Sequence, residues 1–334
     1  EETFSFPAAE RPSRVVFDPR DWVLKKLTFK KSKQELLDQL VHDTHTVARA
    51  QAAEQLADYR PDTDVRNGLA TAAAGDAFWG VREAAVKSLA KFGGDSVRDT
   101  LVATANDDAK STVRRAAVKG LADFPGDATK NLLRDRIAND PSYYVAADAL
   151  SSLARVDPAG CQPDLLAALD RPSDREVILT AACNALAAAD AKEALPRLRA
   201  LVENPTTPRR RAAMFESLAL AGGGDPAITT LLAEQLKDTR DYVRRAAAVA
   251  LGTTGDLGAV EPLLATRAIP GHPRTLAAID QSVAKLRENG TVDRLRRELE
   301  KLQGENGSLE KRIERLEKAT SATEEAKSDS TPEK

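Results

Sequence analysis

Residues 81–89 read Val-Arg-Glu-Ala-Ala-Val-Lys-Ser-Leu, and this stretch decides the fold. Val81, Ala84, Ala85 and Leu89 are spaced at i, i+3, i+4 and i+8, so they lie on one face of a helix. The same pattern, which closes on a leucine eight positions on, begins at Ala48, Val81, Val113, Val145, Ile178, Arg210 and Val243. The separations are 33, 32, 32, 33, 32 and 33 residues, and a weaker eighth copy ends at Leu286. Such regular spacing indicates a repeat protein.

A second apolar segment follows each copy, for example at Leu132 and Leu133, and breakers such as Gly93-Gly94 separate the segments. Each unit is therefore predicted to be a helical hairpin. A single hairpin cannot bury its apolar face alone, so the units must stack, and the many alanines let stacked helices approach closely. The predicted fold is all-α: a right-handed α-solenoid of about seven to eight hairpins over residues 33–288, with a concave inner surface.

Two polar rows accompany the repeat and narrow its type. The Trp, Leu-Gly and Tyr pattern of tetratricopeptide repeats and the Thr-Pro-Leu-His motif of ankyrin repeats are both absent from the sequence. The units resemble short HEAT-like repeats instead, with an acidic residue, a short turn, Val-Arg, Ala-Ala and Leu. The acid stands five residues before the start of a copy at Asp43, Asp76, Asp108, Asp140 and Asp238. The arginine stands one residue after the start at Arg49, Arg82, Arg114, Arg211 and Arg244.

These two rows have two interpretations. An aspartate just before a helix caps free N–H groups, and an arginine in the first turn can reach the aspartate of the next unit with a bidentate fork. The rows then form a structural ladder, which is the favoured interpretation. In the other interpretation the arginines face a ligand and bind its carboxylates. The fourth and fifth copies depart from the pattern, because Ala146 and Leu179 replace the arginine.

The composition argues against several classes of protein. The 334 residues carry 49 Lys+Arg against 51 Asp+Glu, and a net charge of −2 gives no electrostatic footprint for nucleic acid or an acidic membrane. The basic run Arg209-Arg210-Arg211 has no aromatic stacking platform beside it, so no nucleic-acid partner is expected. No stretch approaches the ~18 consecutive apolar residues of a membrane span. The sequence does not indicate a compartment.

Residues 1–32 do not follow the repeat. Residues 3–6 alternate polar and apolar side chains, and both these residues and residues 14–17 are predicted to form β-strands. Two strands are too little sheet to be stable alone. They are therefore expected to be the end of a β-sandwich whose other strands come from earlier sequence or from another chain.

The first part of the chain also resembles a known enzyme family. The residues that carry the resemblance are Val15-Val16-Phe17-Asp18-Pro19, Trp22-Val23-Leu24-Lys25-Lys26-Leu27-Thr28-Phe29, Gln39-Leu40 and Arg49-Ala50-Gln51-Ala52-Ala53 with Leu56. This run is similar to the junction in aminopeptidase N-type zinc metallopeptidases, where the β-sandwich domain ends and the helical C-terminal domain begins. The resemblance covers about 60 residues, and the helical remainder agrees only in general character.

The resemblance implies a limited role. In that family the two histidines of an H-E-x-x-H motif bind zinc, and its glutamate is the general base. This chain has only His42, His45 and His272, so no catalytic residue can be assigned by the resemblance. It implies a non-catalytic helical domain that caps the active site of an upstream catalytic domain and shapes its peptide cavity. Zinc is then expected only in that missing domain, and no cofactor in this chain.

Other candidate chemistry is weak. His42 and His45 have ligand-like spacing, but a zinc site needs further ligands, so a polar turn is the favoured interpretation. Cys161 and Cys183 are too few for a disulfide framework and are predicted to be small apolar core residues. The sequence shows neither a phosphate loop nor a nucleophile elbow nor a dinucleotide fingerprint. No catalytic, cofactor or metal site is therefore predicted.

The repeat gives way to a heptad near the end of the chain. Apolar residues step by three and four at Val292, Leu295, Leu299, Leu302, Asn306, Leu309, Ile313 and Leu316. Residues 289–318 are predicted to form a short coiled-coil-like helix, and Asn306 would fix the register of a weak homodimer through residues 292–316. Gly304 and Gly307 each cost about 1 kcal/mol inside a helix, so a charged helix lying on or leaving the solenoid is the other interpretation. Residues 319–334 are rich in Ser, Thr, Glu and Lys and are predicted to be disordered.

Two functions remain open at this point. One is the helical domain of an aminopeptidase N-like metallopeptidase, whose partner is the upstream catalytic domain. The other is a free-standing HEAT-repeat scaffold that binds a protein or peptide partner on its concave face. A third hypothesis, a lyase or chromophore-attachment helper, needs a site residue that the sequence does not show. Fold alone cannot separate these hypotheses.

Overall fold

The structure is a computed structural model of the 334-residue chain. It describes residues 5, 7–10, 12–18, 22–26, 29–189, 192–204 and 207–290, with the single positions 292, 299, 302, 303 and 306. The chain divides into two compact units, Glu1–Ala221 and Gly222–Lys334. The division falls inside the range 33–288 that the sequence predicts to be one solenoid, and the predicted domain limits stay a prediction.

The first unit contains twelve α-helices in its described part. They are α1 Lys33–His42, α2 Thr46–Leu56, α3 Thr63–Gly75, α4 Trp79–Leu89, α5 Asp95–Asp107, α6 Ser111–Gly120, α7 Asp127–Asn139, α8 Tyr143–Val156, α9 Gln162–Ala168, α10 Val177–Ala188, α11 Leu195–Glu203 and α12 Pro208–Ala221. Short 3-10 turns lie at Ala57–Tyr59, Leu121–Asp123, Asp174–Glu176 and Lys192–Ala194. Each repeat of the sequence thus becomes one hairpin, from α1–α2 to α11–α12.

The hairpins of this unit stack in chain order. The second helices α2, α4, α6, α8, α10 and α12 pack side by side in one row, and α1, α3 and α5 pack along a second row. The closing leucines of the repeat, such as Leu89 and Leu153, are completely buried between the rows. The predicted all-α solenoid of HEAT-like hairpins is confirmed.

Small residues set how closely the rows pack. Ala85 and Ala117 are fully buried on neighbouring second helices. At Gly120, where α6 ends, a Cβ atom would lie 2.8 Å from the Cβ of Ala90 and 3.2 Å from a methyl of Leu101. A larger residue here would force the helices apart, because protein interiors are close-packed. The alanine richness of the sequence therefore has the packing role that it predicts.

The second unit begins with α13 Pro226–Glu234, a 3-10 turn Gln235–Lys237 and α14 Asp241–Leu251. A second turn, Leu257–Ala259, leads into α15 Val260–Arg267, and residues 273–290 form α16. At Gly252 a Cβ would lie 2.6 Å from the hydroxyl of Ser282, so α16 packs directly on the end of α14. Leu286, the closing leucine of the weak eighth copy, is fully buried.

The segment before α1 differs from the prediction. Residues 14–17 carry no strand, so the second predicted strand is wrong. A strand needs a neighbour for its backbone groups, and the N–H of Val15 donates instead to the carboxylate of Glu35 at 3.0 Å. The first predicted strand falls mostly outside the described residues.

The predicted coiled-coil segment is described only in part. Val292, Leu299, Leu302 and Asn306 are helical and exposed, with about half of each apolar side chain accessible. The remaining heptad positions and the predicted disordered tail at 319–334 lie outside the described residues. Both the coiled coil and the homodimer stay predictions.

Candidate functional site

Three arginines each bridge two neighbouring repeats. Arg49 donates through Nε and Nη2 to the two carboxylate oxygens of Asp76, at 2.8 and 2.9 Å. Arg82 does the same to Asp108 at 2.7 and 3.0 Å, and Arg114 to Asp140 at 2.9 and 2.9 Å. The remaining amino group, Nη1, donates to the backbone carbonyl of the repeat's own aspartate at 2.8–2.9 Å. Each guanidinium therefore ties one inter-helix turn to the next.

The aspartates have a second role in the same turns. One oxygen of each carboxylate accepts the N–H two residues further on, at His45, Phe78, Lys110, Ser142 and Arg240. This contact shapes the turn that precedes each second helix. Each aspartate thus fixes its own turn and, from Asp76 to Asp140, receives the arginine of the preceding repeat.

The ladder is buried, and its charges are paired. The Asp140 side chain is 0% exposed and that of Arg114 is 9% exposed. Burial alone would raise the pKa of Asp108, but the hydrogen bonds from Arg82 and from the Lys110 N–H outweigh it and hold that pKa below its usual value. The pKa of Asp76 is lowered by the same balance, with Arg49 and the Phe78 N–H as donors. A buried row of satisfied forks does not face a ligand, so this geometry supports the structural interpretation.

The ladder has defined ends. At its start Asp43 has no preceding repeat, and Nε of Arg14 lies 3.6 Å from its carboxylate. It stops after Asp140, because Ala146 and Leu179 are apolar and buried. Arg210 then links α12 to Glu176 at 3.2 Å and to the carbonyl of Leu169. Arg211 stands beside it at the start of α12, half-buried.

The lowered pKa of Asp76 and Asp108 predicts acid sensitivity. Unfolded aspartate titrates near pH ~3.9, so these carboxylates stabilise the fold fully above that pH and lose the contribution as the pH falls through their folded pKa. We expect the free energy of unfolding, from urea denaturation at a series of pH values, to drop below about pH 4. Asp108→Asn should flatten that dependence, and an equally steep curve would contradict the assignment.

The histidines and cysteines are placed as polar and apolar residues. Nδ1 of His42 lies 3.0 Å from Asp38, and Nδ1 of His45 lies 3.2 Å from Asp43. No group of three or more metal-ligating side chains comes together among the described residues. Cys161 and Cys183 are free and buried, and burial raises the pKa of the Cys183 thiol to about 12.

A different set of residues is exposed beside the ladder. Phe78 and Trp79 open α4, and Tyr143 and Tyr144 open α8; all four side chains are between 36% and 49% accessible. Between them, Lys110 at the start of α6 places its ammonium 5.6 Å from the Trp79 ring centroid. Arg115 of α6 places its guanidinium 5.1 Å from the Tyr144 ring. We call these six residues the aromatic surface.

The aromatic surface is continuous and rigidly held. Helices α4, α6 and α8 are consecutive members of one row, and the rings of Phe78 and Trp79 lie 5.4 Å apart. The turns that carry these residues are those fixed by Asp76, Asp108 and Asp140, so the ladder sets the spacing between the rings. With only two tryptophans and four tyrosines in the chain, half of each type lies here or in its immediate turn positions.

Sequence reasoning did not identify this surface. The signal was present, because the aromatic pairs stand one to three residues before the repeat starts Val81 and Val145. The periodicity of one helix does not show which flank of a stack stays open, so exposure had to come from the structure. Among the described residues, no helix has the length and apolar character needed to cross a membrane.

The comparisons with known proteins agree with this architecture. The family model described as HEAT repeats matches residues 34–122 and 131–219, and that of the PBS lyase HEAT-like repeat matches residues 243–266. A search of curated proteins found no matching relative.

Three solved structures are similar in fold. Human deoxyhypusine hydroxylase in complex with glycerol is 17% identical over 77% of this chain and 96% of its own, with a TM-score of 0.35. The CpcE–CpcF complex of phycocyanin lyase from Nostoc sp. PCC7120 is 19% identical over 80% and 98%, with a TM-score of 0.32. Legionella pneumophila aminopeptidase A in complex with aspartic acid is 13% identical over 79% of this chain but only 37% of its own, with a TM-score of 0.38.

At these identities and TM-scores the likeness to the solved structures does not extend to function. The two HEAT-repeat matches, by contrast, together cover more than half of the 334 residues and coincide with the hairpins α1–α12. The chain therefore belongs to the HEAT-repeat family.

Proposed function

We propose that this protein is a HEAT-repeat scaffold that binds a protein partner through the aromatic surface. The observation that carries the proposal is the exposure of Trp79 and Tyr144 on neighbouring hairpins in a chain that is otherwise poor in aromatics. Aromatic and arginine side chains dominate the energetics of protein interfaces because they bury a large area and lose little conformational entropy. HEAT repeats generally mediate protein interaction, and this surface supplies the contact residues.

The charges around the surface favour an acidic partner segment. Lys87, Lys110, Arg115 and Lys119 stand on α4 and α6, and the acids paired with them are Glu83 and Asp148. Cations therefore exceed acids on this part of the row. An acidic segment with an apolar anchor would place that anchor against the rings and its carboxylates beside the lysines, which is the complementarity that interfaces use.

The experiment is a quantitative binding comparison. The purified chain carries a photo-crosslinker at position 143, and the partner identified by mass spectrometry is then titrated against wild-type and variant chains. Trp79→Ala and Tyr144→Ala should each weaken its binding at least about tenfold, because central aromatic contacts typically contribute more than 1 kcal/mol. Isothermal titration calorimetry measures the dissociation constants.

Matched controls lie on the other row. Arg66→Ala and Thr71→Ala change polar positions of α3 and should leave binding unchanged. Equal loss in these variants, or no loss in the aromatic variants, would rule out the aromatic surface as the binding site. Tight binding of an RNA oligonucleotide that the aromatic variants abolish would make the partner a nucleic acid and contradict the proposal.

A narrower role within the same class is the helical domain of an aminopeptidase N-like metallopeptidase. It is supported by the sequence of residues 15–29 alone, and the irregular segment there does not add to it. Under either role the purified chain should not hydrolyse aminoacyl p-nitroanilides with or without added zinc, because its histidines do not form an H-E-x-x-H motif. Zinc-restored, chelator-sensitive hydrolysis would contradict both roles. Specific binding to a zinc aminopeptidase catalytic domain would favour the narrower one.

A further inference from the structure

The last arginine of the repeat has lost its acceptor. Nη1 of Arg244 donates to the carbonyl of Asp238 at 2.9 Å, which is the bond that Arg49, Arg82 and Arg114 make to their own repeats. Its guanidinium therefore holds the ladder position. The sequence, however, supplies no Asp or Glu between Glu261 and Asp280, where the next repeat would carry the acid.

A cavity lies at this position. It has a volume of about 410 Å³ and is lined by Arg244, Lys237 and Thr239, by Thr275 and Leu276 of α16, and by the loop that contains Gly271. Ile269 on its wall is 65% exposed, so the cavity opens to solvent. Its wall thus combines two cations, hydroxyls and apolar side chains.

The intact rungs show what this fork binds. In each of them Nε and Nη2 take the two oxygens of one carboxylate. In Arg244 only Nη2 has a carboxylate, Asp241 at 3.1 Å, and no described residue accepts from Nε. Asp241 is also held by the Thr275 hydroxyl at 2.8 Å, which fixes it to one side of the fork.

We propose that the Arg244 cavity is a binding site for the carboxylate of a ligand with an aliphatic side chain. The ligand carboxylate takes the place of the missing aspartate and accepts from Nε of Arg244, as bidentate or single-point recognition by arginine allows. Lys237 adds a second cation to the wall, and Asp238, the acid that also lines the cavity, already accepts the Arg240 N–H. Leu276 and Ile279 provide the contact for the aliphatic part. This inference concerns the second unit and does not depend on the aromatic surface.

The carboxylate has two sources in peptides, a C-terminus or an acidic side chain, and three probes separate them. N-acetyl-leucine carries a terminal carboxylate, amidated N-acetyl-Leu-Asp carries a side-chain carboxylate, and N-acetyl-leucinamide carries none. The full chain with ¹⁵N-labelled arginine is titrated with each probe, and the Nε–H resonance of Arg244 is followed. We expect one or both carboxylate probes to shift the resonance saturably and the neutral amide to leave it unchanged. No shift with either carboxylate, or an equal shift with the amide, would overturn the proposal.

A variant pair tests the site without removing Arg244. A Cβ at Gly271 would meet Leu276 at 3.6 Å, an ordinary contact, so small side chains fit there. Gly271→Asp adds the acid that the loop lacks and should weaken the carboxylate probes at least tenfold. Gly271→Asn has the same shape without the charge and should bind within about twofold of wild type, since it leaves the fork open. Equal affinity of the two variants would overturn the proposal.

Discussion

Replacing Arg114 by alanine should lower the free energy of unfolding of the first unit by about 3–5 kcal/mol, because it leaves a buried carboxylate without its counter-charge. Asp140 is fully buried and accepts two hydrogen bonds from Arg114. After the substitution only the Ser142 N–H still donates to it, apart from Arg136 at 3.9 Å. The turn between α7 and α8 would have to open to water or protonate its acid. Urea denaturation followed by circular dichroism measures the change.

The control is an arginine whose ion pairs face water. Arg98 pairs with Asp95 and Asp99 at 2.8 and 2.9 Å, but both acids are mostly exposed. Exposed pairs contribute little, so Arg98→Ala should leave the denaturation midpoint nearly unchanged. A double variant, Arg114→Met with Asp140→Leu, should recover much of the loss, since an apolar pair can replace a buried ion pair. A loss in Arg114→Ala no larger than in Arg98→Ala would mean that the ladder does not stabilise the stack.

The ladder and the aromatic surface are physically connected. Each rung joins the turns before two second helices, and those turns end in the residues that open α4, α6 and α8. Interface residues need a rigid support if little entropy is to be lost on binding. The buried forks provide that support, which explains why a structural element and the candidate binding surface share the same turns.

The periodic features of this protein were accessible to sequence reasoning. The spacing from Ala48 to Val243 fixes the repeat, and the Asp and Arg positions relative to it place both groups at helix starts, where a fork can span neighbours. What a period cannot give is the environment at its edges. Whether Trp79 is covered depends on the chain that packs beside α4, and whether Arg244 finds an acid depends on a loop outside the pattern.

The segment before α1 shows the opposite error. Alternating residues at 14–17 predicted a strand, but alternation describes only which side chains share a face and does not supply a pairing partner. Arg14 instead lies against Asp38 and Asp43, at 3.4 and 3.6 Å. The segment thus covers the first turn of the ladder, which is a role that the strand pattern could not indicate.

Replacing Leu153 by alanine should lower the free energy of unfolding by about 2–5 kcal/mol, through lost burial and the cavity left behind. Leu153 is the closing leucine of the fourth copy, is fully buried, and lies on α8, which packs against α6, α7 and α10. Since each hairpin is stabilised mainly by its neighbours, the loss should appear first in the amide protection of α6 to α10. Hydrogen exchange with mass spectrometry measures this distribution. Leu220→Ala is the matched control, because Leu220 is 47% exposed on α12 and should change protection little. Uniform loss of protection from α1 to α12 in Leu153→Ala would show that the first unit unfolds as one cooperative body and that its stability is not carried by nearest-neighbour stacking.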